Sequence, residues 1–146
     1  MYLDTAILVK LLLPESDSLY YADLVDGQVV YSAEIALTEC YSAMLRKERE
    51  RAITARERKA AWKQFEANIA GRRITLLPVT RAVLDAANHI LTRCQPRIPL
   101  RSLDALHLGA AQQCASWPLC TADLRMRAAA KKMGFPVSPL PSPSKP

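Results

Sequence analysis

The sequence predicts a three-layer α/β/α domain in which helices cover both faces of a short parallel sheet of four or five strands. Short apolar runs of strand length alternate with longer segments that have the apolar spacing of amphipathic helices. Such alternation favours right-handed crossovers and hence a parallel sheet. A length of 146 residues suits one domain with a sizeable core.

Apolar spacing and capping residues predict the elements of the first half. These are a strand at Met1–Leu3, a helix from Thr5 to about Leu13, a helix at Leu19–Val25, a strand at Val29–Tyr31, a helix at Ala33–Glu50 and a helix at Ala55–Ala70. Ser32 and Thr54 are the predicted N-caps of the last two helices, and Gly71 closes the second of them.

The second half continues the alternation. Its predicted elements are a strand at Ile74–Leu77, a helix at Arg81–Cys94 after Thr80, a helix at Leu103–Ala115 capped by Ser102, a strand at Pro118–Cys120, a helix at Ala122–Met133 capped by Thr121, and an edge strand at Pro136–Ser138. We therefore expect one domain over residues 1–138. The Pro/Ser-rich residues 139–146 cannot bury themselves, so we expect a disordered tail there.

Composition restricts the class of protein. Half of the residues are hydrophobic, and no apolar run approaches the ~20 residues of a membrane span. The first residues lack a basic leader, so we expect a cytoplasmic protein that does not bind membranes. The four cysteines form no C-x-x-C pair, which favours reduced thiols over a zinc site.

The net charge of +6 suggests a polyanionic partner. Much of the excess lies between Arg46 and Lys59, where seven Arg or Lys residues accompany three Glu residues. This stretch is either a solvated helix surface with ion pairs or a face that contacts phosphates or an acidic partner. The sequence leaves both possibilities open.

Two acidic residues, Asp4 and Glu39, occupy positions that are unusual for solvent-exposed carboxylates. Asp4 follows the first strand directly, and ligands of parallel sheets bind at the carboxyl ends of strands. Glu39 has Ile35, Ala36, Ser42 and Ala43 one turn away on its helix, so it points along a small, inward face rather than toward a basic partner. An isolated buried carboxylate is costly and needs compensation. The alternative is that Glu39 reaches solvent.

Two further acids open helices. Asp104 and Asp123 each follow a Ser or Thr by two residues, and an acid in the first turn of a helix is favoured by the helix dipole alone. However, Asp123 also follows a short strand, and Asp104 opens an apolar helix that must pack on the sheet. The two could therefore join Asp4 and Glu39 at one edge of the sheet.

Four carboxylates at one edge would repel each other, and a divalent cation is the usual relief. Oxygen ligands favour Mg²⁺ or Mn²⁺ over zinc. A metal site within a basic protein suits phosphodiester hydrolysis, in which metals activate water and rim cations hold the nucleic acid.

Four runs of sequence resemble PIN-domain ribonucleases, in particular the VapC-type toxins of bacterial toxin–antitoxin pairs: YLDTAILVKLLLPE, ALTECYSAML, LRSLDALHLGAA and TADLRMRAAAKKMG. The resemblance spans nearly the whole chain apart from the tail. It implies a PIN-like, Rossmann-like fold and a Mg²⁺- or Mn²⁺-dependent endoribonuclease. It also implies an RNA substrate such as a tRNA or rRNA, a small antitoxin that blocks the site, and a homodimer.

The resemblance assigns the catalytic and metal-binding roles to Asp4, Glu39, Asp104 and Asp123. Thr5 and Thr121 fall on positions that support such a site. Ala6 departs from the family, which often has Ser there.

Three other readings compete with a toxin ribonuclease. A catalytically inactive PIN-like module that binds RNA or protein is disfavoured because all four acids are present. A metal-dependent deoxyribonuclease remains open. A phosphatase of the haloacid dehalogenase type would need a second Asp at position 6, where this chain has Ala6. We expect His107 to be structural rather than a general base, and His89 has no partner identifiable from sequence.

Overall fold

The computed structural model describes residues 1–142 and, within them, a four-stranded parallel sheet. The strands are β1 (Tyr2–Leu3), β2 (Val30–Ala33), β3 (Ile74–Leu77) and β4 (Leu119–Cys120). They lie side by side in the order β3-β2-β1-β4, and every neighbouring pair is parallel. The predicted short parallel sheet is therefore confirmed.

Seven helices within residues 1–142 connect and cover the strands: α1 (Thr5–Leu12), α2 (Ser18–Val25), α3 (Ile35–Arg49), α4 (Ala55–Ala70), α5 (Arg81–Cys94), α6 (Ser102–Cys114) and α7 (Leu124–Lys132). The N-terminus of α4 carries a capping box in which Thr54 and Glu57 satisfy each other's backbone N–H groups. Across the same residues, the helices include none with the length and apolarity that a membrane crossing requires.

The sheet separates two hydrophobic cores. Successive residues of a strand point to opposite faces, and β1 divides accordingly, with Tyr2 in one core and Leu3 in the other. Helices α5, α6 and α7 complete the core around Tyr2, and α1 to α4 complete the core around Leu3. This arrangement confirms the predicted three-layer α/β/α architecture.

Helix α6 lies unusually close to α5 at Gly109. A Cβ atom at this position would stand 2.7 Å from the carbonyl oxygen of Val83 and 3.1 Å from the backbone nitrogen of Ala87. Real Cβ atoms do not approach backbone so closely, so the helix pair requires glycine here. The close packing fixes the position of α6, which carries two polar residues of the site described below.

The predicted element bounds are largely confirmed, and those of Ala55–Ala70, Ile74–Leu77 and Arg81–Cys94 agree to the residue. The predicted capping role of Ser32 is wrong. Ser32 lies within β2, and its hydroxyl donates a 2.9 Å hydrogen bond to the carbonyl oxygen of Leu3. The strand therefore runs on to Ala33, and α3 begins two residues later than predicted.

Two more predicted caps are wrong. Ser102 is the first residue of α6, and the N-cap position before it, Arg101, makes no side-chain capping hydrogen bond. Thr121 does not cap α7, because its hydroxyl donates to a carboxylate elsewhere in the chain. Asp123 caps that helix instead, so α7 begins at Leu124 rather than Ala122.

The C-terminal segment adds little regular structure. The predicted edge strand is reduced to a single parallel bridge between Leu119 and Val137. Residues 139–142 have no regular secondary structure, although the Tyr20 hydroxyl donates to the carbonyl of Pro139 at 3.0 Å. The rest of the tail predicted to be disordered, residues 143–146, lies outside the described residues.

Candidate active site

A crevice at the edge of the sheet follows from the strand order. β1 and β4 are neighbours, but α1 packs on one face of the sheet and α7 on the other. In open α/β sheets, ligands bind in the crevice that forms at such a point, beyond the carboxyl ends of the strands. Asp4 directly follows β1, and Asp123 follows β4 by three residues, so both stand at this crevice.

Asp4 is held rigidly at the crevice. Its side chain is the N-cap of α1 and accepts a 2.9 Å hydrogen bond from the backbone N–H of Ile7 at Oδ1. The Thr121 hydroxyl donates to the other oxygen, Oδ2. Asp4 is only 5% exposed. Burial raises the pKa of this carboxyl above its ordinary value, although both hydrogen bonds favour the charged form.

Asp123 combines capping with a place in the crevice. Its Oδ1 accepts from the backbone N–H groups of Arg125 at 2.8 Å and Met126 at 3.0 Å. Partial burial alone would raise the pKa of Asp123, but these hydrogen bonds and the Arg125 guanidinium hold it below the ordinary range. Asp123 is therefore a carboxylate that stays charged, and it is the N-cap of α7 rather than a residue of the first turn.

Asp104 lies in the first turn of α6 and is poorly satisfied. Its Oδ2 is buried and finds no hydrogen-bond partner among the described residues. Burial raises the pKa of Asp104, and the negative charge of Asp123 raises it further. A buried oxygen without a partner is costly, and this one is an acceptor that receives no hydrogen bond from the described residues.

Glu39 points inward from α3, as its neighbours predicted. Its Oε2 accepts from the Thr5 hydroxyl at 2.6 Å and lies 2.8 Å from Nε2 of His107. Burial alone would raise the pKa of Glu39, but the hydrogen bonds from His107 and Thr5 outweigh it and lower that pKa. The cost of burying this carboxylate is therefore offset, and Glu39 is charged in the folded chain.

All four acids line one cavity of about 690 Å³. Ala6, the position that departs from the family, lines it as well. The expected tight cluster is not formed: within residues 1–142, no three His, Cys, Asp or Glu side chains stand close enough together to hold a metal ion as they are. The structure thus brings the predicted residues into one cavity while leaving their carboxylates apart.

His107, which we expected to be structural, also contacts an acid of the cavity. This residue is 2% exposed, and it contacts both Glu39 and Tyr2 rather than merely filling the core. A signal was present in the sequence, since His107 lies three residues after Asp104 on the same helix and so shares its face.

Arg127 is a basic residue whose side chain is used inside the protein. Its guanidinium is buried and donates to the backbone carbonyls of Thr121 at 2.9 Å and Ser138 at 2.7 Å. Both terminal nitrogens are thereby engaged in fastening residues on either side of α7. Arg127 supports the loop that carries Thr121 and Asp123 and is unavailable to a phosphate.

The fold and the cavity together define an α/β domain with a carboxylate-lined site at the switch point of a parallel sheet. Its sequence matches the PIN domain family over residues 1–132. It is also similar to Ribonuclease VapC46 of Mycobacterium tuberculosis (strain ATCC 25618 / H37Rv), at 36% identity over 146 residues that cover 94% of this chain and 95% of that protein. The chain belongs to the PIN domain family and is a VapC-type member of it, which confirms the resemblance seen in the sequence.

Proposed function

We propose that this chain is a Mg²⁺- or Mn²⁺-dependent endoribonuclease that acts as the toxin of a toxin–antitoxin pair. The observation that carries the proposal is the cavity of a basic protein that Asp4, Glu39, Asp104 and Asp123 line from four separate elements. The similar protein is itself named a ribonuclease. Carboxylates repel a phosphate placed beside them unless a cation offsets their charge.

The residues of the cavity fit a hard divalent cation. Asp104 offers a buried oxygen without a partner, and Asp4 and Asp104 both have raised pKa values, which indicates that their negative charges are undercompensated. All donors are oxygens, as Mg²⁺ and Mn²⁺ prefer. Like-charged carboxylates repel each other, so their separation in the chain alone is the arrangement expected before a cation draws them together.

We assign the four acids two kinds of role. Asp4 and Asp104 would hold the main cation, with the hydroxyl of Thr121 and the N–H of Ile7 fixing the direction of Asp4. Glu39 and Asp123 would complete the site and orient the attacking water.

The proposed reaction is hydrolysis of the phosphodiester by water. A bound cation would lower the pKa of a water nucleophile and stabilise charge on the phosphate. In-line attack by water on the phosphorus breaks the bond to the 3′ oxygen of the preceding ribose, leaving a 5′-phosphate and a 3′-hydroxyl.

The cations around the cavity divide into two pairs. Lys10 lies 2.6 Å from Asp17 and 3.0 Å from Glu15, and Lys47 lies 2.6 Å from Glu15. These lysines are neutralised within the protein. Arg46 and Arg101 also line the cavity, and neither has an ion pair among residues 1–142.

We therefore propose Arg46 and Arg101 as the residues that hold phosphates next to the cleaved bond. Phosphate contacts make affinity fall steeply with salt but carry no sequence information. Specificity would come from the shape of a folded RNA and from unstacked bases, as in a tRNA or rRNA loop.

The proposal extends to partners and place of action. A small antitoxin would cover the cavity, with an Arg or Lys directed at the carboxylates, and the chain would form a homodimer in the cytoplasm. Expression of the chain alone should slow growth, and coexpression of an adjacent small open reading frame should relieve the effect. Normal growth together with a monomeric, partnerless protein would contradict the toxin assignment.

The nuclease assignment is tested by incubating the purified chain with RNA and with DNA, each in Mg²⁺, Mn²⁺ or EDTA. We expect cleavage of RNA only, dependent on the metal, and abolished by Asp4→Asn. The control Asp23→Asn, an exposed acid on α2, should retain activity. Cleavage of DNA alone would favour a deoxyribonuclease, and RNA binding without cleavage would favour an inactive binding module. A 2′,3′-cyclic phosphate product would contradict water attack.

The phosphate contacts have a separate test. Arg46→Ala and Arg101→Ala should each weaken RNA binding at all sequences. Each should also reduce the slope of log Kd against log salt by about one, the contribution of one phosphate contact. Arg49→Ala is a matched control, because Arg49 is exposed on the same helix as Arg46 but does not line the cavity. Equal effects of the Arg46 and Arg49 variants would contradict the assignment.

A further inference from the structure

A buried line of polar groups runs from β1 to the acidic cavity. The Tyr2 hydroxyl lies 2.7 Å from Nδ1 of His107, whose Nε2 lies 2.8 Å from Oε2 of Glu39. Thr5 donates to that same carboxylate oxygen at 2.6 Å. The groups come from β1, α1, α3 and α6, and Tyr2 and His107 are respectively 0% and 2% exposed. These groups depend on one another, because burying any one of them without its hydrogen-bond partner would cost free energy.

The chemistry of the two ends fixes the direction of the hydrogen bonds. Glu39 is a charged acceptor, so the ring nitrogen that faces it, Nε2, must carry a hydrogen. In the neutral ring, Nδ1 is then bare and accepts a hydrogen bond. Tyr2 can supply it, since burial raises the pKa of this phenol and keeps its hydrogen in place. The direction is therefore Tyr2 to His107 to Glu39.

These contacts leave the two oxygens of Glu39 in different states. Oε2 accepts from both Thr5 and His107, whereas Oε1 accepts no hydrogen bond from any residue in the described part of the chain. Two donors on one oxygen restrict rotation of the carboxylate. Oε1 is thereby left for whatever occupies the cavity that Glu39 lines.

We infer that His107 is a positioning residue that orients Glu39 through Nε2–H, with Tyr2 behind it holding the imidazole in the required tautomer. His107 does not meet the substrate in this assignment and acts only through Glu39. The inference rests on the proposed function, because it concerns a carboxylate that serves cation or water in the cavity. The competing interpretation is that His107 merely fills space between β1 and α6.

The tautomer is tested first by ¹⁵N NMR of the metal-free wild-type chain. The chain has two histidines, and exposed His89 on α5 serves as the internal reference. We expect a hydrogen on Nε2 of His107 and, in the neutral ring, a bare Nδ1. A bare Nε2 would overturn the inference, because such a nitrogen cannot donate to Glu39.

The second test measures RNA cleavage and, separately, the affinity for Mn²⁺ alone by electron paramagnetic resonance. His107→Ala should lower kcat or Mn²⁺ affinity by about 10–100-fold, the range for groups that orient metal ligands, with little change in KM for RNA. His107→Gln should recover a large part of the loss, because its amide N–H can stand in for Nε2–H. His89→Ala is the control.

A double-mutant comparison with Glu39 distinguishes a positioning role of His107 from space filling. In a Glu39→Gln background, His107→Ala should cause almost no additional loss of kcat, because a residue that acts through Glu39 has nothing left to orient. Equal losses in both backgrounds would overturn the inference. Thermal melting identifies any variant that fails to fold. His107→Gln and Tyr2→Phe, which change less volume, carry the test if His107→Ala does not fold.

Tyr21 provides a matched control for the Tyr2 variant. Its hydroxyl is buried without a hydrogen-bond partner among the described residues, so Tyr21→Phe removes a hydroxyl but no hydrogen bond. We expect Tyr2→Phe to lower kcat and Tyr21→Phe to leave it unchanged. Two equally active variants would remove Tyr2 from the inference.

Failure of the inference can be told from failure of the proposed function. A wild-type chain that neither cuts RNA nor binds Mn²⁺ would overturn the proposed function. An active wild-type chain whose His107 variants behave like wild type would overturn the inference alone.

Discussion

Replacing Asp104 by Asn should make the metal-free protein more stable while abolishing its activity. The Oδ2 atom of Asp104 is buried without a partner among the described residues, and Asp123 adds a second negative charge nearby. In the metal-free chain both features are unfavourable. Asn keeps the shape of the side chain and removes the charge. A stabilising substitution at a residue essential for catalysis is the behaviour of a site built for a bound cation.

The size of the effect follows from the unpartnered oxygen. A buried polar group without a hydrogen bond costs about 1–3 kcal/mol, and more when it is charged. Asn still needs a partner, so we take the low end, about 1 kcal/mol. With an unfolding entropy of about 2.1 cal/mol/K per residue, or roughly 0.3 kcal/mol/K for the chain, that gain raises Tm by about 3 °C.

The gain should depend on pH in a defined direction. The pKa of Asp104 is raised in the folded chain above the ordinary value of 3.8. As pH increases through that ordinary value, the unfolded chain releases this proton first, so ionisation of Asp104 destabilises the folded wild type. Below the ordinary value both states are protonated and the penalty is absent. The difference in Tm should therefore be small near pH 3 and complete at neutral pH.

The assay is thermal unfolding of both proteins in EDTA across this pH range, with the exposed Asp23→Asn as control. Mn²⁺ should then reverse the order, because an ion that binds the folded state raises Tm by mass action and the wild type binds it better. An Asp104→Asn variant that is less stable than wild type at neutral pH in EDTA would refute the reasoning. So would an equal rise in Tm with Mn²⁺ for both proteins.

Three further substitutions probe how the site is supported. Thr121→Val should destabilise the chain by about 1–3 kcal/mol in urea unfolding, because the buried carboxylate of Asp4 loses a donor; an unchanged midpoint would contradict this. Arg127→Met should cost about 2 kcal/mol or more by leaving two carbonyls unpaired, and limited proteolysis should then cut the C-terminal segment faster. Gly109→Ala should cost about 1–3 kcal/mol, because the new Cβ meets the carbonyl of Val83, and a neutral result would contradict the close helix packing.

Local patterns predicted the layers and the positions of two of the acids. Apolar alternation and caps are short-range signals, so the bounds of α4, β3 and α5 could be obtained from the sequence. Asp4 was identifiable because it follows a strand directly, and Glu39 because its helical neighbours are small or apolar. Both arguments use residues within one turn, and the structure places both side chains at the cavity.

The contacts that support the site could not be derived from local patterns, because they form only in the folded chain. The family resemblance implied a supporting role for Thr121, but its local pattern assigned it to the cap of its own helix, whereas its hydroxyl bonds to Asp4, 117 residues away. His107 meets Tyr2 across 105 residues. Arg127 has the pattern of a basic surface helix, but the fold buries it between the carbonyl groups of Thr121 and Ser138. In each case a contact formed in the folded chain, rather than the neighbouring sequence, determines the role of the side chain.

The most direct test of the acidic site is an anomalous difference map from crystals of the wild-type chain grown with Mn²⁺. The account predicts a manganese peak in the cavity, bound by Asp4 and Asp104, with Glu39 or Asp123 completing the shell directly or through water. Crystals of Asp4→Asn should lack the peak. A protein that cleaves RNA in the same Mn²⁺ concentration but carries no ion near Asp4 and Asp104 would contradict the account.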